Sequence, residues 1–109
     1  MQKSTCYRLI RNNTTGASEY LLTPSYLEIM KDPAGKEFYI HFHKVQVAPK
    51  IFKWSCTEES TGLKCIDRDT STKQEALERM KEIVPVLNHV LSKHTHYIEK
   101  MRAFKESLK

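Results

Sequence analysis

The segment Thr72 to Leu108 constrains this chain most, because its apolar pattern fits a long amphipathic helix and little else. Leu77, Met80, Val84, Leu87, Leu91, His94, Ile98, Met101 and Leu108 recur on alternating three- and four-residue steps, the spacing of a and d positions in a heptad. The one intervening a position is Lys105. A second row, Ala76, Ile83, Val90, Tyr97 and Phe104, repeats every seven residues beside the first, so the stripe is broader than a bare two-stranded seam needs. Thr72-Lys-Gln-Glu75 matches a capping box, with the threonine oxygen accepting from the third turn amide, and sets the helix start. Pro85 cannot donate to the Lys81 carbonyl and its ring crowds that turn, which predicts a kink. The heptad phase runs on through Leu87 and Leu91, favouring one bent helix. Ser92-Lys-His-Thr-His96 is poor in helix formers, and a break there with Thr95 capping a short final helix is the alternative.

Residues 1–71 read as short strands and turns. Tyr7 to Arg11 and Glu19 to Leu22 flank the turn formers Asn12-Asn-Thr-Thr-Gly16, and Thr23-Pro24-Ser25 interrupts the second of these strands. Tyr26 to Lys31 and Glu37 to Lys44 form a second hairpin around Asp32-Pro-Ala-Gly35. Tyr39-Ile-His-Phe-His43 alternates strictly, so Ile40 and Phe42 share one face and Tyr39, His41 and His43 the other. Ile51 to Thr57 comes next as a strand, then the loop Glu58 to Gly62, then a last short strand from Leu63 to Asp67. The expected fold is α+β: an antiparallel sheet of four to six short strands, in two or three hairpins, packed against one long, Pro-kinked C-terminal helix. Its core is expected to hold Phe38, Ile40, Phe42, Phe52 and Trp54 with Leu77, Met80, Ile83, Val84 and Leu87. With 109 residues and no long linker, positions 1–109 make a single domain, β-rich over 1–71 and helical over 72–108.

Helix length then raises a question of cover. Thirty-seven residues make a helix of about 55 Å, whereas strands of this length span about 17–27 Å. The second half of an unbroken helix would face water, so a homodimer is expected there, through Leu91, His94, Tyr97, Ile98, Met101, Phe104 and Leu108. His94 and Lys105 would act as register-setting polar residues or simply lie along the edge of the seam.

Composition narrows the function classes. Apolar residues are 39% and charged residues 28%, the balance of a globular chain and not a disordered one. No window approaches the ~18 apolar residues of a membrane span, and no secretory signal is visible, so no membrane partner and a cytoplasmic location are expected. The three cysteines, Cys6, Cys56 and Cys65, form no CxxC, which favours reduced thiols; a cross-strand Cys56–Cys65 disulfide is the alternative. Net charge is +5, with much of the excess in Lys100, Arg102, Lys105 and Lys109, where a helix dipole already favours cations.

The chemistry-bearing residues are sparse. His41 and His43 at i and i+2 lack a third ligand at diagnostic spacing, and the three glycines all lie in turns, so no metal, cofactor or phosphate-cradling loop is expected. No GxSxG elbow and no acid–base pair of enforced proximity is present, so the chain reads as non-catalytic. A sheet face presenting Tyr39, His41, His43, Lys44 and Lys53 is the candidate nucleic-acid surface, able to stack unpaired bases and meet phosphates. Asp32-Pro-Ala-Gly-Lys36, followed by strands and then Thr72-Lys-Gln-Glu-Ala76, resembles the small three-stranded-sheet-plus-helix domains that bind arm-type DNA sites at the front of tyrosine recombinases. The resemblance spans Tyr26 to Pro85, excludes the first hairpin and everything past Pro85, and carries no functional residues over. The expected function is a small non-catalytic intracellular adaptor or regulatory protein with a protein partner. Nucleic-acid binding is the alternative, and an unrecognised small enzyme comes third.

Overall fold

The computed structural model describes residues 1–109 as four antiparallel strands in one sheet followed by two helices. Strands β1 (Gln2–Arg11), β2 (Ser18–Lys31), β3 (Glu37–Ala48) and β4 (Ile51–Glu58) lie in chain order, and helices α1 (Lys73–Ser92) and α2 (Thr95–Ser107) close the chain. Thr72 caps α1 as its sequence pattern predicts, its Oγ1 accepting from the Glu75 amide at 3.1 Å. No helix is long and apolar enough to cross a membrane.

Strand β2 does not stop at Pro24. It pairs with β1 from Ser18 to Leu27 and with β3 only from Tyr26 to Lys31. Pro24 therefore faces Thr5 on one side and has no strand on the other, where its missing amide costs nothing. Beyond Tyr26 and Phe42 the two strands diverge, and β3 and β4 continue together as a two-stranded arm with Lys44 opposite Trp54 and Gln46 opposite Phe52. This arm corrects the expected core. Phe52 lies past the reach of β2 and is 54% exposed, and Trp54 is half-buried at the core's edge. Residues 63–67 also differ from expectation. They touch the outer edge of β4 through one isolated bridge, Thr57 to Lys64, followed by a second from Trp54 to Thr70, and do not form a fifth strand.

Helix α1 lays Ala76, Met80, Val84, Leu87 and Leu91 on Phe38, Ile40, Phe42 and Cys56, which together with Ile66 make the apolar core. Burying each of the larger side chains is worth about 1.5–3 kcal/mol. The helix passes through Pro85 but ends at Ser92, and Lys93 and His94 break it. The single long helix is thus replaced by two. Thr95 is the first residue of α2, and its expected capping place is taken by His94, which makes no side-chain capping bond.

The break lets α2 cover the other end of the sheet. Phe104 stacks edge-on to Tyr7 at 5.0 Å and lies 4.5 Å from Tyr20, while Met101, 2% exposed, sits over Gly62. At the same place the Leu9 amide donates to the Gly62 carbonyl at 2.8 Å, joining the free edge of β1 to the turn after β4. A four-stranded sheet whose first strand meets the loop beyond its last must curl strongly.

Gly62 carries this junction. Its φ is +72°, and a β-carbon there would lie 2.9 Å from the Tyr7 carbonyl oxygen and 2.7 Å from Met101 Cε. Gly35 has φ of +87° but open space around it. Gly35→Ala should cost about 1 kcal/mol, the left-handed penalty alone. Gly62→Ala should cost at least twice as much in a urea titration, and equal losses would show that the β1–turn junction is loose.

Candidate nucleic-acid interface

The divergence of β2 from β3 opens a concavity of about 590 Å³ on the sheet, flanked by the start of α1. Tyr26 stands on the last β2–β3 pair with Phe42, and Trp54 stands two residues along β3, opposite Lys44, so the two rings share a face. Their centroids are 6.1 Å apart at 47°. Lys73, the first residue of α1, lies 4.1 Å over the Tyr26 ring and 5.7 Å from that of Trp54, and Lys44 lies 5.8 Å from Trp54. Lys3 of β1 completes the rim. No carboxylate lines the concavity, and none of the three lysines pairs with an acid elsewhere.

Three ammonium groups around one hollow repel one another, and Lys73 further stands at the positive end of its own helix. Contact with the faces of Tyr26 and Trp54 offsets part of that cost, about 0.5–2 kcal/mol for each cation over a ring. A polyanion would offset the remainder. The arrangement suits a ligand with phosphates for the lysines and a flat apolar group for the rings.

Of the expected nucleic-acid face, Lys44 and His43 line this hollow, Lys44 from the side of β3 that carries Phe42 and His43 from the other side. Tyr39 is 40% exposed and Lys53 exposed, as expected, but both project from the opposite face. His41 and His43 are 0% and 2% exposed, which corrects the reading of a solvated histidine face. The curl of the sheet and the turn after β4 enclose them. Glu58 builds that turn: its buried carboxylate accepts from the amide and hydroxyl of Ser60 and from those of Thr61, at 2.7–3.0 Å. Of the residues expected at a dimer seam, Leu91 and Met101 are buried within the chain, and His94, Tyr97, Ile98 and Phe104 are half-buried. Leu108 alone is more than half exposed.

The enclosed histidines form two polar chains that no sequence spacing announced. Ser25 Oγ lies 2.8 Å from His41 Nδ1, and His41 Nε2 lies 3.0 Å from Glu59 Oε1, linking residues 16 and 18 positions apart. With Nε2 donating to the carboxylate, Nδ1 is left to accept from the serine. A hydroxyl, an imidazole and a carboxylate in series resemble a nucleophile and its base. The imidazole, however, is wholly enclosed, and each atom of the chain satisfies its neighbour, which is the requirement on any buried polar group. His43 Nε2 meets Thr57 Oγ1 at 2.8 Å, while its Nδ1 has no hydrogen-bond partner. Cys6, Cys56 and Cys65 are free thiols, and Cys65 lies opposite Cys56, its amide donating to the Cys56 carbonyl at 3.0 Å.

Comparison with protein-family models, curated proteins and solved structures found no match for this chain.

Burial pushes the His43 imidazole down to about 4, with the Arg8 charge acting in the same direction. The unfolded histidine titrates near 6.5, so the folded form binds the proton later than the unfolded one. The stability at stake is fully present above pH 6.5 and lost as the pH falls towards 4, by roughly 3 kcal/mol. Urea unfolding across that window should show the loss in the native chain and a flatter profile in His43→Gln. Equal slopes would mean that His43 is accessible to water.

Proposed function

We propose that this chain is a small non-catalytic binding protein whose ligand is single-stranded nucleic acid, taken up at the hollow between Lys3, Lys44 and Lys73. The observation that carries this reading is the trio of unpaired lysines around the Tyr26–Trp54 ring pair, with no carboxylate among them. Lysines meet phosphates without regard to sequence, and an unpaired base can lie against an aromatic face, whereas the bases of a duplex are already stacked on one another. Phe52, on the same face of the β3–β4 arm and more than half exposed, extends the apolar track beyond Trp54. The fold-back of α2 removes the exposed stripe on which the dimer expectation stood, and so lowers the claim of an adaptor built on helix pairing. One observation still favours a protein partner: Val86 and Val90, 56% and 42% exposed, stand four residues apart on the outward side of α1.

Trp54 is the only tryptophan, so its emission reports on this hollow alone. Titration with a single-stranded oligonucleotide at low salt should quench it, and three phosphate contacts give a log–log salt slope of about −2. Lys44→Glu and Lys73→Glu should each weaken binding by about tenfold or more while leaving the fold intact. Unchanged emission with both single-stranded and duplex oligonucleotides at low salt would overturn the reading.

A further inference from the structure

A second cavity, separate from the lysine hollow, lies where β1, the start of the β3–β4 arm and the chain from Gly62 to Asp69 meet. It measures about 170 Å³, room for about five waters. Its polar side chains are Arg8, His43, Gln46, Ser55, Thr57, Lys64 and Asp69.

Charges and donors there do not balance. The one carboxylate, Asp69, has its Oδ1 2.8 Å from Lys64 Nζ, an ion pair that neutralises its charge without a hydrogen bond of good geometry. Arg8 pairs with no acid; its Nε donates to Thr23 Oγ1 at 3.0 Å, and its two terminal nitrogens meet no acceptor of the chain. Ser55, 2% exposed, lines the cavity and makes no side-chain hydrogen bond within the chain, and His43, equally buried, has its unpartnered Nδ1. A half-buried guanidinium with no counter-charge is costly, and a forked pair of donors fits two oxygens of one anion.

We propose that this cavity is a binding site for a compact oxyanion, a phosphate, sulfate or small carboxylate, held by the terminal nitrogens of Arg8 and the Ser55 hydroxyl. Asp69 stays neutralised by Lys64, so the site keeps a net positive charge for its ligand. His43, neutral, forms the wall between this cavity and the lysine hollow, since it lines both. The site does not depend on the nucleic-acid reading.

The test is a titration of the full chain with inorganic phosphate, sulfate and acetate, each at constant ionic strength, monitored by NMR of the Arg8 Nε–H and the His43 ring. A saturable shift of both groups is expected, with the preference between phosphate and acetate defining the oxyanion. Arg8→Met should weaken binding by about tenfold or more. Ser55→Ala should weaken it less, and it serves as the second variant should Arg8→Met not fold. The quenching of Trp54 by oligonucleotide should be unchanged in Ser55→Ala. Absence of a saturable shift with all three anions would overturn the proposal. Shifts confined to Lys3, Lys44 and Lys73 would overturn it equally, since the anion would then sit in the hollow.

Discussion

The hydrogen bond from the Leu9 amide to the Gly62 carbonyl holds the two ends of the sheet together, and most of the molecule depends on it. Without it, β1 and the first half of β2 would be held to the rest by side chains alone, Ser25 on His41 and Tyr7 and Tyr20 on Phe104, since β2 pairs with β3 only from Tyr26 onward. With it, the sheet is a curled enclosure that buries His41, His43, Ser55 and Thr57 on its inner face although these side chains are polar. Glu58 gives the turn its shape through four accepted hydrogen bonds, Gly62 supplies the backbone conformation, and Met101 covers the outside.

Two faces of one strand therefore carry opposite chemistry. On one, Phe38, Ile40 and Phe42 meet α1 in an apolar core. On the other, His41 and His43 meet Ser25, Thr57 and Glu59 in hydrogen bonds. A satisfied polar layer adds little net stability but penalises any packing that leaves one member unpaired, so it favours one arrangement over many. Arg8 within, and Lys3, Lys44 and Lys73 at the rim, are cations without an acid partner, while His43 Nδ1 and Asp69 Oδ1 within lack a hydrogen-bond partner. Both concavities carry a net positive charge.

Local signals in the sequence located the helix start at Thr72, the turn at Asp32–Gly35 and the alternation of β3, because each depends on neighbours within a few residues. The break at Lys93–His94 was legible only as an alternative. Heptad phase is continuous across it, and what decides the matter is the Tyr7–Tyr20 surface waiting for Phe104, from the opposite end of the chain. The same limit applies to the site. Lys44 was expected on the face of Tyr39 and His41, whereas the alternation of β3 puts it with Phe42, opposite Trp54. Lys3 and Lys73 reach the hollow from other elements, and Trp54 was placed inside the core because strand parity cannot show where a neighbouring strand ends. The histidines misled for a related reason. Alternation in β3 put them correctly opposite the core, but enclosure of that opposite face comes from a bond between residues 9 and 62.

The central claim is that the end of the chain folds back on its own sheet, and an isotope-filtered nuclear Overhauser experiment tests it directly. Contacts from the Met101 methyl to Gly62 and from the Phe104 ring to Tyr20 should be strong in uniformly labelled protein and vanish in the filtered spectrum of a labelled–unlabelled mixture. Contacts that survive the filter would place α2 on a second copy, and the helix would then bridge two molecules in place of closing one.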